Sequence, residues 1–199
     1  MTSPRRMGTE NSKTRFLLMD IVERLMLEEG YAAVGIRRVA READVTPALV
    51  HYYFRTLDDL FLAVIRRRSE QELQAQTRAL DSDRLLHSLW TYNSHPMGTA
   101  LNVEFIALSN HRKAIRAELV SYAEQARTLQ MEALAKHLEA RGIDPEILPP
   151  LALTALISTV SRALAMEDTM GLTKGHDELL PLVEEHLRKI DDAPVHETE

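Results

Sequence analysis

His51, Tyr52, Tyr53 and Phe54 stand side by side in a chain of which only 5% is aromatic. Successive helical residues point about 100° apart, so four rings in a row cannot share one buried face and some must be displayed. A displayed phenol or imidazole offers a hydrogen-bond donor at the tip of a rigid ring. Arg37 and Arg38 lie upstream and bring flat, permanently charged forks of N–H donors. Thr46, Pro47 and Leu49 come just before the rings and add a hydroxyl and an aliphatic tip. Displayed donors of this kind next to arginines suit a phosphate backbone.

The elements that must carry these residues read as short helices. Leu18, Ile21, Val22 and Leu25 recur at helical spacing and predict an amphipathic helix over residues 12–29, closed by Gly30. Tyr31 follows as a packing residue. A shorter helix is expected over 35–43, with Ile36, Val39 and Ala40 inward and Arg37, Arg38 and Arg41 outward. Asp44 and Val45 make a turn. Thr46 suits the N-cap of a third helix, and Pro47 the first helical position, where its missing N–H costs nothing. That helix runs to about Tyr52. Two short helices joined by so tight a turn are what a helix-turn-helix needs, the second entering the major groove by its N-terminal end. Spacing alone is a weak signal for that motif.

Charge separates along the chain. Residues 1–68 carry 12 Lys and Arg against 9 Asp and Glu, while residues 69–199 carry 12 against 21. A basic first third followed by an acidic remainder places a polyanion contact, if there is one, in the first part. Residues 1–11 read as a polar arm, and Arg5, Arg6, Lys13 and Arg15 would either reach a minor groove or stay solvated. The chain has 199 residues, 45% of them hydrophobic, enough for one sizeable domain or two small ones. It has no cysteine, no run of apolar residues near membrane length and no apolar segment behind its N-terminal arginines, so a cytoplasmic protein without membrane contact is expected.

Beyond residue 56 every pattern is helical. A fourth helix is expected from 57 to past 75, with Arg66, Arg67 and Arg68 as a largely solvated patch, and further helices over 83–92, 98–110, 112–140, 149–170 and 176–190. The segment over 149–170 is apolar nearly all round, so most of its sides must be covered. With Leu179, Leu180, Val183, Leu187 and Ile190 of the last segment it suggests a self-complementary patch. Two helices from each subunit would then meet about a twofold axis, giving a homodimer through the last two helices. The other reading is a core helix of a single chain.

The run from Glu28 through Gly30, Tyr31, Gly35, Ile36, Arg37, Arg38 and Val39, and the run from Ala43 to Leu60, resemble the DNA-binding region of the TetR family of bacterial transcriptional regulators. Thr56 with Asp59 resembles the family's capped entry to its fourth helix. Three positions depart from the pattern: Gly35 where Thr or Ser commonly caps, Ala48 for a frequent glycine, and His51 for the usual tyrosine. The resemblance implies an all-α protein with a three-helix DNA-binding domain over 1–56 and a helical ligand-binding and dimerisation domain over 57–199. It implies double-stranded operator DNA as partner, read as a pseudo-palindrome and contacted by Arg37, Arg38, Thr46, Pro47, Leu49, His51, Tyr52 and Tyr53. Repression relieved by a small hydrophobic or amphipathic effector is also implied. Trp90, Asn93, Phe105, Met131 and Met166 would line its pocket, with Glu104, His111, Tyr122 and Gln125 as polar anchors. No cofactor or metal is expected and no enzyme: there is no glycine-rich phosphate loop, nucleophile elbow or paired histidines at metal spacing. The alternative is a helical interaction or ligand-carrier module without sequence-specific DNA binding.

Overall fold

The computed structural model describes residues 13–94 and 96–195. Among them the chain is helical with no strand. α1 spans Lys13–Glu29, α2 Ile36–Glu42, α3 Pro47–Tyr53, α4 Leu57–Ala79, α5 Leu85–Asn93, α6 Pro96–Ser109, α7 Lys113–Glu139, α8 Pro150–Thr169 and α9 His176–Asp191. A 3-10 turn at Tyr31–Ala33 follows α1. The helices expected from periodicity are all present, with ends shifted by one or two residues where the caps decide. The arm with Arg5 and Arg6, and also His95 and His196, lie outside the described residues. No helix among the described residues is long and apolar enough to cross a membrane.

The chain forms two compact units, one of residues 1–70 with 101–120 and one of 71–100 with 121–199. The sequence division at 56/57 is by proposed role and this one is by compactness. In the first unit, Leu18, Val22 and Leu25 of α1, Val39 of α2, Val50 of α3, Leu60 and Val64 of α4, and Ile115 of α7 are fully buried, with Leu101 and Phe105 of α6 nearly so. In the second, α5 packs on α8 and α9 around Leu86, Leu89, Trp90, Leu134, Leu153 and Leu187.

Caps fix where α3 and α4 begin. Thr46 Oγ1 accepts from Leu49 N at 3.3 Å and Pro47 occupies the first helical position. Thr56 and Asp59 form a reciprocal box: Thr56 N donates to Asp59 Oδ2 and Asp59 N to Thr56 Oγ1, both at 3.0 Å. Phe54, 2% exposed, lies between the two caps and anchors the connection in the core. At the end of α1, Gly30 has φ +81 and ψ 163, open to glycine and little else. The next amide, Tyr31 N, donates to Glu104 Oε2 of α6 at 2.7 Å, tying the start of the 3-10 turn to α6.

Candidate nucleic-acid interface

α2 and α3 pack against each other across the turn at Asp44, whose φ of +52 lets the chain reverse over residues 43–46. Aspartate tolerates this left-handed conformation better than most side chains. Val39, Ala40 and Val50 hold the pair to the core. With these three spent inward, the opposite faces carry the residues singled out for chemistry. Arg37, Thr46, Pro47, His51 and Tyr52 are exposed, and Leu49 and Tyr53 are partly exposed. Tyr52, 42% exposed, meets Tyr53 edge-on with ring centroids 5.2 Å apart, so each ring props the other.

Arg37 makes no ion pair among the described residues. Its neighbour Arg38 is placed differently: its guanidinium reaches Glu29 at 2.8 Å and Glu42 at 3.1 Å. Glu42 also pairs with Arg24 at 2.7 Å, and Arg24 with Glu28 at 3.0 Å. The Arg24 hydrogen bond is the main cause holding the Glu42 carboxyl below the usual range, so that acid stays ionised. Outward orientation had grouped Arg38 with Arg37, but the fold commits Arg38 to a network joining α1 and α2. Periodicity gives a residue's face and cannot show which acid the next helix will bring beside it.

His51 carries a constraint of its own. Its Nδ1 lies 3.2 Å from the carbonyl oxygen of Arg55, which can only accept, so the hydrogen resides on Nδ1. The neutral ring then presents a lone pair on Nε2. Donation to a phosphate requires the imidazolium form.

Arg55 itself was missed in the sequence, where it sits outside the helical pattern. Its side chain is exposed, makes no ion pair among the described residues, and lines a groove of about 620 Å³ with Arg15, Tyr53, Phe54, Asp59 and residues of α4. Arg15 stacks over the Phe54 ring, 5.0 Å from its centroid. Arg66 and Arg67 on the same groove are paired, Arg66 with Glu118 at 2.7 Å and Arg67 with Asp20 and Glu23. Arg112 pairs with Asp58.

The residues expected to line an effector pocket fall in both compact units: Glu104, Phe105 and His111 in the first, the other six in the second. Glu104 is engaged with Tyr31 N, Phe105 is 2% exposed in the first core, and His111 is at the surface. In the second unit Trp90, 4% exposed, is core; Asn93 Nδ2 bonds back to Leu89 O at 2.8 Å; Gln125 is exposed and bonds to Ser121. Met131 is half-buried, and Met166, 42% exposed, lies on an outer face. Tyr122 joins a polar group that composition gave no sign of. Its hydroxyl lies 3.3 Å from Glu72 Oε2, and Tyr92 donates to Glu72 O at 2.9 Å and to Oε2 at 3.2 Å. Burial first, and the Glu72 charge second, push the Tyr92 hydroxyl well above the usual phenol range.

One buried charged group was also unforeseen. Asp191, at the end of α9, accepts from Leu86 N at 3.1 Å and His87 N at 3.0 Å at the start of α5, and lies 2.9 Å from His137 Nε2. Arg141 donates to the Asp191 and His137 carbonyls. A histidine beside an aspartate has the parts of a catalytic pair, but the Asp191 carboxylate is taken up by two backbone amides and His137, and the other ring nitrogen of His137 faces Arg141 at 3.3 Å, as in a structural clamp.

A polar and aromatic face on a short capped helix, buttressed by a second helix and bound to a helical core, defines a helix-turn-helix protein. Residues 18–64 match the model of the bacterial regulatory proteins of the tetR family. Over this region the chain is similar to the TetR family. It is 31% identical over 83 residues to the HTH-type transcriptional regulator HbdR of Aromatoleum sp. (strain CIB), a match covering 39% of this chain and 36% of that protein. The match thus spans about a third of that relative's length. Among solved structures, a TetR-family transcriptional regulator from Rhodococcus sp. superposes with TM-score 0.72 at 17% identity, over 91% of this chain and 98% of that one. A protein described as a transcriptional regulator from Saccharomonospora viridis, solved in complex with choline, gives 0.74 at 18% identity, over 94% and 100%. At these identities the structures speak for the fold alone.

Proposed function

We propose that this chain is a DNA-binding transcriptional regulator that works as a homodimer on a pseudo-palindromic operator and represses until a small organic effector binds. The observation that carries the reading is the α2–α3 pair itself. Its buried residues hold α3 by one side, while Arg37, Thr46, Pro47, His51 and Tyr52 stand exposed on the other. Tyr52 and Tyr53, and His51 where both its ring nitrogens carry hydrogen, suit phosphates, which set register; Arg37, with Leu49 and the start of α3, suits base edges.

Support for the dimer comes from α8. Leu153, Ile157, Ser161 and Leu164 face the core, while Ala152, Leu156, Thr159, Ala163, Met166 and Met170 are exposed at alternating 4- and 3-residue steps. A stripe of that period on one helix is a seam for a second helix, and its small residues permit close approach. Of the α9 residues expected in the patch, Leu179, Val183, Leu187 and Ile190 pack instead against the second unit's core, and Leu180, with Leu182, is exposed. Two heads on a twofold frame then reach successive major grooves, about 34–36 Å apart.

The effector is expected to be small and hydrophobic or amphipathic. The solved neighbour that holds choline is consistent with a ligand of that size. Coupling to DNA release would need a difference in affinity between two states of about 1–3 kcal/mol.

The deciding experiment is selection of genomic fragments by the purified full chain at near-physiological salt. An enriched inverted repeat with half-sites one helical turn apart is expected. Binding that enriches no motif and collapses steeply with salt would leave only phosphate attraction and refute a sequence-reading regulator.

A further inference from the structure

We infer that Arg55 is a backbone-phosphate contact of the duplex, placed just past the C-terminal end of the recognition helix and oriented together with His51. The inference rests on the regulator reading above and adds a residue to its interface.

The guanidiniums of the first unit divide by partner. Arg24, Arg38, Arg66, Arg67 and Arg112 each face one or two carboxylates. Arg55 is exposed and faces none among the described residues. An arginine held by nothing is commonplace on a surface, but the backbone of this one is fixed on both sides. Phe54 before it is 2% exposed, and its amide closes α3 by bonding to Val50 O at 2.9 Å. Thr56 after it is the cap of α4. The Arg55 carbonyl holds His51 Nδ1 at 3.2 Å. One peptide unit therefore sets both the imidazole, one turn back on α3, and the root of the guanidinium. The imidazole and the backbone from which the guanidinium springs are thus both fixed to the end of the recognition helix.

The groove beside Arg55 decides what kind of anion fits. Asp59 and Glu70 are on its wall, and two of its cations, the exposed Arg66 and the largely buried Arg67, are already neutralised by Glu118, Asp20 and Glu23. A multiply charged small molecule seated deep in the groove would meet those acids. A phosphate approaching from outside finds in Arg55 an exposed guanidinium with no acid partner among the described residues, next to the Tyr53 hydroxyl, and a guanidinium fork matches its oxygens. The duplex backbone delivers such a phosphate beside α3 once the N-terminal end of that helix is in the major groove.

The test is equilibrium binding of the full chain to two duplexes, one recovered by genomic selection and one of mixed sequence, each over a range of salt. Arg55→Gln should weaken both by the same factor and make the slope of log K against log salt shallower by about 0.9, the value for one phosphate contact on B-form DNA. Arg55→Lys should restore the slope. An unchanged thermal midpoint separates this from a folding effect. A slope in Arg55→Gln equal to that of the unaltered chain, or a loss confined to the selected duplex, overturns the contact while leaving the regulator reading intact. If the unaltered chain prefers neither duplex, or binds none, the regulator reading falls and takes this contact with it.

Discussion

Removing the Asp191 carboxylate should destabilise the second compact unit more than any other single polar change in it. That side chain has no solvent exposure and ends three interactions: the amides of Leu86 and His87 at 3.1 and 3.0 Å, and His137 Nε2 at 2.9 Å. The amides belong to the first turn of α5, where helix donors have no partner within the helix. In Asp191→Ala two amides and an imidazole N–H lose their acceptor in a dry setting. Leaving each buried donor without its acceptor costs about 1–3 kcal/mol, against a total stability of about 5–15 kcal/mol for an ordinary domain. Asp191→Asn keeps one acceptor oxygen and should cost roughly half as much, since its amide group turns a donor toward a donor. Trp90, the sole tryptophan, is 4% exposed on the same α5, so its fluorescence during urea unfolding reports on this unit. The sign with pH follows from the same contacts. Burial opposes ionisation of Asp191, but the bonds from His137, His87 and Leu86 outweigh it and hold the carboxyl below its ordinary 3.8. Its stabilising contribution is therefore complete above that value and is lost as pH falls through the lower folded value. Asp191→Asn should flatten the acid limb of the stability curve. A Trp90 transition in Asp191→Ala within about 0.5 kcal/mol of the unaltered chain, the ordinary scatter of surface substitutions, would refute the clamp.

Arg37→Ala and Arg38→Ala should part company. The first weakens binding to the selected duplex by about 1–3 kcal/mol if Arg37 reads a base, with no change in thermal midpoint. The second shifts the midpoint through loss of the Glu29 and Glu42 contacts and leaves the salt slope in place. Leu156→Glu, at 60% exposure on the outer stripe of α8, should give a folded monomer in sedimentation and abolish tight operator binding, whereas a persistent dimer would move the interface elsewhere. Tyr52→Phe removes one exposed hydroxyl and should weaken selected and mixed-sequence duplexes alike. Glu104→Ala leaves Tyr31 N without its acceptor and should lower the stability of the first unit by about 1 kcal/mol, read by thermal melting.

The helices were legible because each announces itself locally. The α1 stripe, the Thr46–Pro47 start of α3 and the Thr56–Asp59 box are all contained within a few residues, and the structure places them where spacing put them. What escaped the sequence depends on residues far apart in the chain. Asp191 caps a helix that begins more than a hundred positions earlier, so nothing near it marks an acceptor in use. Glu104 had the composition of a ligand anchor and instead serves a backbone amide that Gly30 turns toward it. Trp90 and Phe105 are apolar enough for a pocket and equally apt for a core, and packing, which only the assembled helices define, made them core. Met166 shows the reverse: its exposure follows from α8 having one face against the core and one without a partner.

The net charge of the first third understated what its surface offers a polyanion. A modest excess of bases over acids gives little field if the charges are mixed, but here they are sorted. Asp20, Glu23, Glu28, Glu29, Glu42, Asp58 and Glu118 each accept a guanidinium, and those guanidiniums tie α1, α2, α4 and the start of α7 to one another. Arg37 and Arg41, one turn apart on α2, and Arg55 just after α3 are left exposed without an acid partner among the described residues. Pairing exposed charges contributes little stability of its own. Its effect is directional: most acids of the first unit are already occupied, so under the proposed reading Arg37, Arg41 and Arg55 remain available to a duplex. Under the same reading, the acidic balance of residues 69–199 disfavours their approach to that backbone and leaves the first third to meet it.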